Sequence, residues 1–481
     1  MEAFFVFYQY VIYFYATALT LIYSTLALMA YFNIIRSKQS YSGKEERILK
    51  KHPESAPGIS IVAPAFNEEV IIIDNVSTLL NLDYPNFEVV IVNDGSKDKT
   101  LDLLIEHFAL TQVPYAYVSK VPCKPVKRIF RSTDPQFERL TVVDKINGGT
   151  KSDAMNAGVN VARHNYFINT DVDCLLAKDT LTKVILPVMD SDVEVIAVGA
   201  TMRMSNGCKV DNGEITEVRP PKGIIPAFQE VEYMRSYLVA KMGWARINAV
   251  TNVSGGFGLF NKEIVIEAGG FDPLSHAEDL DMTLRIIAHK RDNNEQYRIV
   301  QVPDTLCWTE GPPNLKVLSR QRTRWGRGLL QIFFVHRKFL FNRKYGRMGW
   351  IMMPYIFIFE FLAPIFEFFG LLCLFYLLWT GQVNFNTFWL MLGYVYLLGT
   401  CVSLLTISYD LTVKKLYNNL SEYLKLILFA SFEAFVYHPL TIVFTLRGYV
   451  QFLTGRNFKW GEMTRQGHSK NKPQNKLQVT K

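Results

Sequence analysis

The stretch GISIVAPAFNEEVIIIDNVSTLLNLDYPNFEVVIVNDG, Gly58 to Gly95, decides the fold. It opens and closes on runs rich in Val and Ile, GISIVAPAF and FEVVIVNDG, which read as buried strands. Between them EEVIIIDNVSTLLNL spaces its apolar residues at helical intervals. Further along, RLTVVDK, YFINTDVD and VEVIAVGA read as strands, and KTLDLLIEHFAL and SDAMNAGVNVAR as helices. This alternation, from Pro57 to about Ala200, predicts an α/β domain with a mostly parallel sheet covered on both faces.

Ligands of such sheets bind at the carboxyl ends of the strands. Polar residues stand there: Asn67 and Glu68 after the first strand, Asp94 after the second, Asp171 and Asp173 after a later one. In FINTDVDCLL (Phe167–Leu176) one valine separates Asp171 from Asp173, so the two carboxylates repel and call for a positive species. A solvated strand end or an ion-pair network would be the plain reading. Mg²⁺ or Mn²⁺, which takes one or two carboxylates and completes its shell with water and substrate phosphate, accounts for the pair more directly. NDGSKD alone reads as a turn with Gly95 at positive φ. NGGTKSDAMNAG (Asn147–Gly158) reads as a loop and a capped helix, or as a phosphate site made by Lys151 and the N–H groups of a helix start. In HAEDLDMTLR, Glu278, Asp279 and Asp281 open a helix, where acids are favoured in any case. In SRQRTRWGRGLLQ, Gln321, Arg324 and Trp325 lie on a basic helix that would equally suit lipid head groups.

The rest of the chain, which has 481 residues in all, is too apolar for a soluble protein. Ala3 to Ile35 carries no charged side chain and predicts one tilted transmembrane helix; the run lacks a basic leader and is too long for a signal peptide. Ile351–Trp379 and Phe385–Tyr409 are long enough to span, Glu360 and Glu367 then facing protein or a polar path. The link TGQVN is uncharged, whereas Arg337, Lys338, Arg343, Lys344 and Arg347 flank one side and Lys414 and Lys415 the other. The positive-inside rule puts those flanks, and Arg36, Lys38, Lys44 and Arg47, in the cytoplasm, together with everything between. GLLQIFFVHRKFLFNRK is apolar on one side and basic on the other, which predicts a helix lying on the inner leaflet. Tyr423–Leu446 contains Glu433 and His438-Pro439 and reads either as a crossing or as a hairpin or interface pair broken at Pro439. The divisions are a transmembrane helix over 1–37, a cytoplasmic domain over 38–328, an amphipathic interface helix over 329–350, transmembrane and interface helices over 351–454, and a polar tail over 455–481. The net charge of +8 is dispersed and suits anionic lipid rather than nucleic acid, and the six cysteines show no disulfide or zinc spacing.

In order along the chain stand APAFNEE, NDGSKD, GTKSDAMN, TDVD, the AED of HAED, and QRTRW. On these motifs the chain resembles the membrane-integrated family 2 glycosyltransferases, the cellulose, hyaluronan, chitin and poly-N-acetylglucosamine synthases. WTEGPPNLKVLSRQRTRW and KWGEMTR (Lys459–Arg465) are similar to the poly-N-acetylglucosamine type. AED stands where TED is usual, and Met155 where Leu is usual. The resemblance spans Lys38 to about Gly328 and implies a GT-A-type, Rossmann-like cytoplasmic domain inserted between transmembrane helices. It implies that Asp94 and Asp153 hold the uridine, with Ala65 and Glu68 lining its pocket, Lys151 near the diphosphate, and Asp171 and Asp173 at the phosphate and the Mg²⁺ or Mn²⁺. Asp279 would be the general base and Arg324 would neutralise the leaving diphosphate. Gln321 and Trp325 would hold the acceptor sugar over SGGFGLF, where Gly256 and Phe257 form a floor, beside Glu278. The implied reaction is an inverting displacement from a UDP-sugar, UDP-GlcNAc or UDP-Glc, that polymerises a glycan and extrudes it across the cell membrane. A single addition to a lipid acceptor, and a nucleotide-sugar sensor, are the competing readings. Membrane lipids, and an accessory subunit or a second copy completing a pore, are the expected partners; nucleic acid is not.

Overall fold

The computed structural model describes residues 2–40, 44–211, 214–413 and 415–455. The tail over 456–481, with KWGEMTR, lies outside the described residues.

Twelve strands form in chain order: β1 (Ile59–Ala65), β2 (Phe87–Asn93), β3 (Leu110–Gln112), β4 (Val126–Ser132), β5 (Leu140–Lys145), β6 (Tyr166–Thr170), β7 (Leu175–Leu176), β8 (Val195–Met204), β9 (Lys209–Asp211), β10 (Glu214–Glu217), β11 (Phe257–Asn261) and β12 (Arg298–Thr309). Ten of them make one sheet in the order β3-β4-β5-β2-β1-β6-β11-β8-β12-β7, and β9 and β10 make a small ribbon. Side chains of β1 and β2 alternate between two cores, Val62, Val90 and Val92 on one face and Ile61, Ala63, Val89 and Ile91 on the other. Burial on both faces is why these strands read as unbroken apolar runs.

The sheet is mixed rather than mostly parallel. β5, β2, β1 and β6 run parallel, as do β8 and β12. β11 is antiparallel to both β6 and β8, β4 to β5, and β7 to β12. The insertion of β11 has a functional consequence. Its amino end arrives at the edge where the parallel strands end, so Ser254–Gly256 lies beside Asp171. In the sequence, SGGFGLF is expected to be a glycine-rich floor; the structure makes its second half a strand.

Among the described residues four helical segments are long and apolar enough to cross a membrane: Tyr10–Ser37, Met348–Thr380, Phe385–Leu411 and Leu420–Leu453. The first belongs to the helix Glu2–Ser40, which buries Leu26, Ala27, Ala30 and Ile34. A Cβ on Gly243 would stand 2.7 Å from the Leu26 carbonyl oxygen, so glycine sets that close crossing. The stretch 329–350 is not a single interface helix. The helix Leu315–Val335 ends there, followed by two 3-10 turns, Arg337–Phe339 and Arg343–Tyr345, and a π-helical turn, Met348–Met352. Phe341 and Gly346 take left-handed backbone, and Phe339 stacks on Tyr345 at 4.1 Å, which folds the segment back on the α/β domain.

The last helix, Leu420–Leu453, runs unbroken through Pro439. It packs on the α/β domain along one side and on the two preceding apolar segments along another, His438 meeting Glu367 and Phe435 meeting Tyr396. Lys425 donates to the Pro221 carbonyl, Glu433 pairs with Arg235, and Tyr437 donates to Glu232. Gly448 meets Thr323 and Gly326 so closely that a Cβ would overlap the Thr323 carbonyl, and Phe452 stacks on Phe334. Contacts at both ends hold the helix straight where proline removes one backbone bond.

Candidate active site

The site begins where β2 and β5 end. Lys145, the last residue of β5 and fully buried, donates to Asp94 at 2.6 Å and to Asp153 at 2.5 Å. Asp94 also accepts from the Gly148 N–H at 3.0 Å, and Asp153 from the Lys124 N–H at 2.8 Å. Thr150 caps the helix Lys151–Val161 that carries Asp153. The loops after β1 and β2 are tied together, the Glu68 N–H donating to Thr100 and the Lys97 N–H to Asn67. Ala65 is buried in the core and meets this pocket only through its carbonyl, which accepts the Asp94 N–H at 3.0 Å. Asp94 and Asp153 therefore stand together, as the sequence motifs imply, but on a lysine that those motifs do not mark.

The second half opens one strand over. Lys151 reaches Asp171 at 2.5 Å and the Gly255 carbonyl at 2.5 Å. At Gly255 a Cβ would lie 3.5 Å from both Glu278 and Asp279, and at Gly256 one would lie 3.6 Å from Asp171. Arg324 lies 4.0 Å from Glu278. Lys151, Asp171, Glu278, Asp279 and Arg324 thus ring a single space around Gly255 and Gly256. Burial opposes the charge on Lys151, but Asp171 and Glu278 outweigh it and hold the ammonium above its usual value. Burial, and then Asp279, push the Glu278 carboxyl up.

Ligand atoms of Asp171, Asp173 and Cys174 lie within 4.8 Å of one another. The Cys174 thiol bonds to Cys307 and is buried, both of which raise it well above its ordinary value, so it stays protonated. The two carboxylates then form an oxygen donor pair that fits Mg²⁺ or Mn²⁺ better than a thiolate-seeking metal.

The helix Leu315–Val335 closes the site, and two glycines bring it near. A Cβ on Gly328 would be 2.7 Å from Ala277, just ahead of Glu278, and one on Gly326 would be 2.5 Å from the Thr445 carbonyl. Gln321 accepts from the fully buried Gln229 at 3.0 Å. Arg322 stacks on Trp325 at 4.3 Å while pairing with Glu232 and donating to the Tyr437 hydroxyl at 2.7 Å. His336, just past the helix, bonds to Asp281 at 2.7 Å, so that acid anchors the helix Glu278–Asp292. Phe257, like Ala65, is an expected site residue whose side chain does not open on the site. It is fully buried among Leu259, Val198 and Cys307, because alternation along β11 turns it to the core. Its backbone alone belongs to the floor. Lys145, Gln229, Glu232 and Arg322 escaped the sequence reading. Only Arg322 carries a signal, its place inside QRTRW.

Carboxylates gathered on one strand edge, faced by a cationic helix, suit transfer from a donor activated by phosphate, on the kind of mixed sheet that GT-A glycosyltransferases build. Residues 57–328, more than half of the chain, match the family described as Glycosyltransferase like family 2, and the chain belongs to that family of hexose-transferring enzymes. A poly-beta-1,6-N-acetyl-D-glucosamine synthase of Staphylococcus aureus (strain COL) is 27% identical over 315 residues, 64% of this chain and 65% of that one. The probable glycosyltransferase YdaM of Bacillus subtilis (strain 168) is 26% identical over 299 residues, 60% of this chain and 61% of its own. The chain spans less than two thirds of the length of either relative. Among solved structures, a mannosyltransferase from Pyrobaculum calidifontis in complex with GDP-Man and Mn2+ aligns over 90% of this chain and 100% of that one, at 17% identity and a TM-score of 0.48.

Proposed function

We propose that this chain is an inverting, metal-dependent synthase that extends a polysaccharide from a UDP-sugar, UDP-GlcNAc first among them. One observation carries the reading: Gly255 and Gly256 hold Lys151 and Asp171 on one side of a single space and Glu278 and Asp279 on the other. A diphosphate at Lys151 and Asp171 would put the anomeric carbon over the glycines, open to attack from the Asp279 side. Asp279 takes the proton of the acceptor hydroxyl as the bond forms. Lys151 and Arg324 neutralise the departing diphosphate. Mg²⁺ or Mn²⁺ held by Asp171 and Asp173 would supply further positive charge there. Asp94 and Asp153, fixed by Lys145, hold the uridine, and Gln321 and Trp325 hold the acceptor.

The catalytic unit is 38–328, on the cytoplasmic side of the cell membrane, as the basic flanks of the membrane segments require. The helix Leu420–Leu453 lies along the helices Ile224–Arg235 and Leu315–Val335 from Glu433 to Phe452, which favours a position at the interface over a fourth crossing. Three crossings remain, and a second copy or another membrane subunit would complete a conduit. The test is UDP release from UDP-GlcNAc by the purified full chain in detergent, with product sizing. Release that stops in EDTA, returns with Mg²⁺ or Mn²⁺ and yields long products supports the reading; full turnover in EDTA removes the metal, and products of one added sugar on lipid replace polymerisation by single transfer.

A further inference from the structure

We propose that the chain carries a binding site for an anionic phospholipid head group where its second membrane segment begins. A surface cavity of about 460 Å³ opens there, lined by Arg343, Gly346, Arg347, Trp350 and Ile351. A third guanidinium, that of Arg291, comes up beneath it, with Nη2 3.2 Å from where a Gly346 Cβ would stand. The Arg291 Nε is buried without a hydrogen-bond partner among the described residues. Among those residues no carboxylate pairs with Arg291, Arg343 or Arg347, and the nearby Asp292 is engaged by Lys344 at 2.6 Å and Lys338 at 3.7 Å. Five cations around one carboxylate leave a strong positive excess, held in place rather than dispersed. The Arg343 guanidinium sits 5.5 Å from the Trp350 ring, and Arg347 donates to the Ile247 carbonyl at 3.0 Å.

The excess charge calls for an anion, and the rim says what carries it. Phe341, Trp350 and Ile351 are 54%, 47% and 45% exposed, an apolar border that a free phosphate could not use. Trp350 and Ile351 open the segment Met348–Thr380, so the cavity stands at the depth of the head groups, where tryptophan is at home. A lipid phosphate would meet the arginines while its chains run along Trp350 and Ile351. The cavity also touches the far end of the helix whose first turn holds Glu278 and Asp279, so a bound lipid would brace the element that carries the proposed base. The site does not depend on which sugar is transferred.

The test uses the full chain in detergent mixed with equal phosphatidylcholine and phosphatidylglycerol, with retained lipid counted by native mass spectrometry. Wild type is expected to keep phosphatidylglycerol preferentially. Arg343→Ala with Arg347→Ala should lose that preference, by about fivefold for each arginine. Arg337→Ala with Lys415→Ala, which removes the same charge elsewhere, should retain it. The Arg343 side chain makes no hydrogen bond among the described residues and touches only the Trp350 ring, so Arg343→Gln alone gives a smaller loss in a protein that still folds. Equal retention by wild type and the Arg343 variants overturns the proposal, as does an equal loss in the control pair. Displacement of the lipid by millimolar inorganic phosphate would likewise overturn it, in favour of a free-anion site.

Discussion

Glu278 is the carboxylate that the site holds at a cost. Burial and its neighbour Asp279 raise it above the ordinary value of 4.5, so the folded protein binds a proton there more tightly than the unfolded chain. Stability from this group is therefore full below that ordinary value and is lost as pH rises through the raised one. Glu278→Gln, which has no charge to bury, should melt higher than wild type at pH 7.5, with the gap closing toward pH 4, in thermal unfolding of the purified protein. A gap independent of pH would mean that the carboxyl is not strained. Asp279, the next residue, is the base of the proposed reaction. Asp279→Asn should bind UDP almost as wild type does while transfer falls about a hundredfold or more, the usual worth of a general base. Lost UDP binding would move Asp279 to the donor pocket. Asp94, Asp153, Asp171 and Asp279 could be singled out in the sequence because they stand in motifs whose order along the chain carries the family resemblance. Lys145 was not legible: a lysine ending a strand is ordinary until folding brings Asp94 and Asp153 to it.

Among the elements, the helix Leu315–Val335 is the one whose placement matters most, and it is held from two sides. Arg322 carries Trp325 on its guanidinium face and is itself gripped by Glu232 from the helix Ile224–Arg235 and by Tyr437 from the last helix. A membrane-flanking element therefore aims the aromatic that would receive each new sugar. Tyr437→Phe removes the bond accepted from Arg322 and the one donated to Glu232, each worth about 1 kcal/mol, and should leave a folded enzyme. Its expected signature is shorter product and a raised acceptor KM with unchanged UDP affinity; wild-type product length would uncouple the last helix from the acceptor site. Glu232→Gln is harsher, since it leaves Arg322 buried without its counter-charge, at about 3–5 kcal/mol. QRTRW marked the element, but FQEVEYMR, the partner sequence, reads as any amphipathic helix. Pairing between helices distant in sequence leaves no local pattern.

At the scale of the molecule the question is which side of the membrane each end occupies. Hydropathy alone would allow four crossings. The last helix lies against the catalytic domain from Lys425 to Tyr437 while Leu424, Leu428, Phe432 and Val443 stay exposed, an interface arrangement in which Thr454 shares a side with Asp279. Thr454→Cys should react with a membrane-impermeant maleimide only in inside-out vesicles, and Gln382→Cys, in the link after Met348–Thr380, only in right-side-out ones, each against the labelling of the parent. Reaction of both from the same side would dismiss this arrangement.

The amino-acid sequence by itself determined the α/β core, the strand ends that bear the carboxylates, the motif order and the membrane segments, because periodicity, composition and spacing are local and survive without a fold. Tertiary structure alone decided the antiparallel entry of β11, the unbroken course through Pro439, the burial of Phe257 and the grip on Arg322. It also decided that Lys151 stands against Asp171. Each of these depends on which distant surfaces meet, and contact free energy between remote segments is written nowhere along the chain.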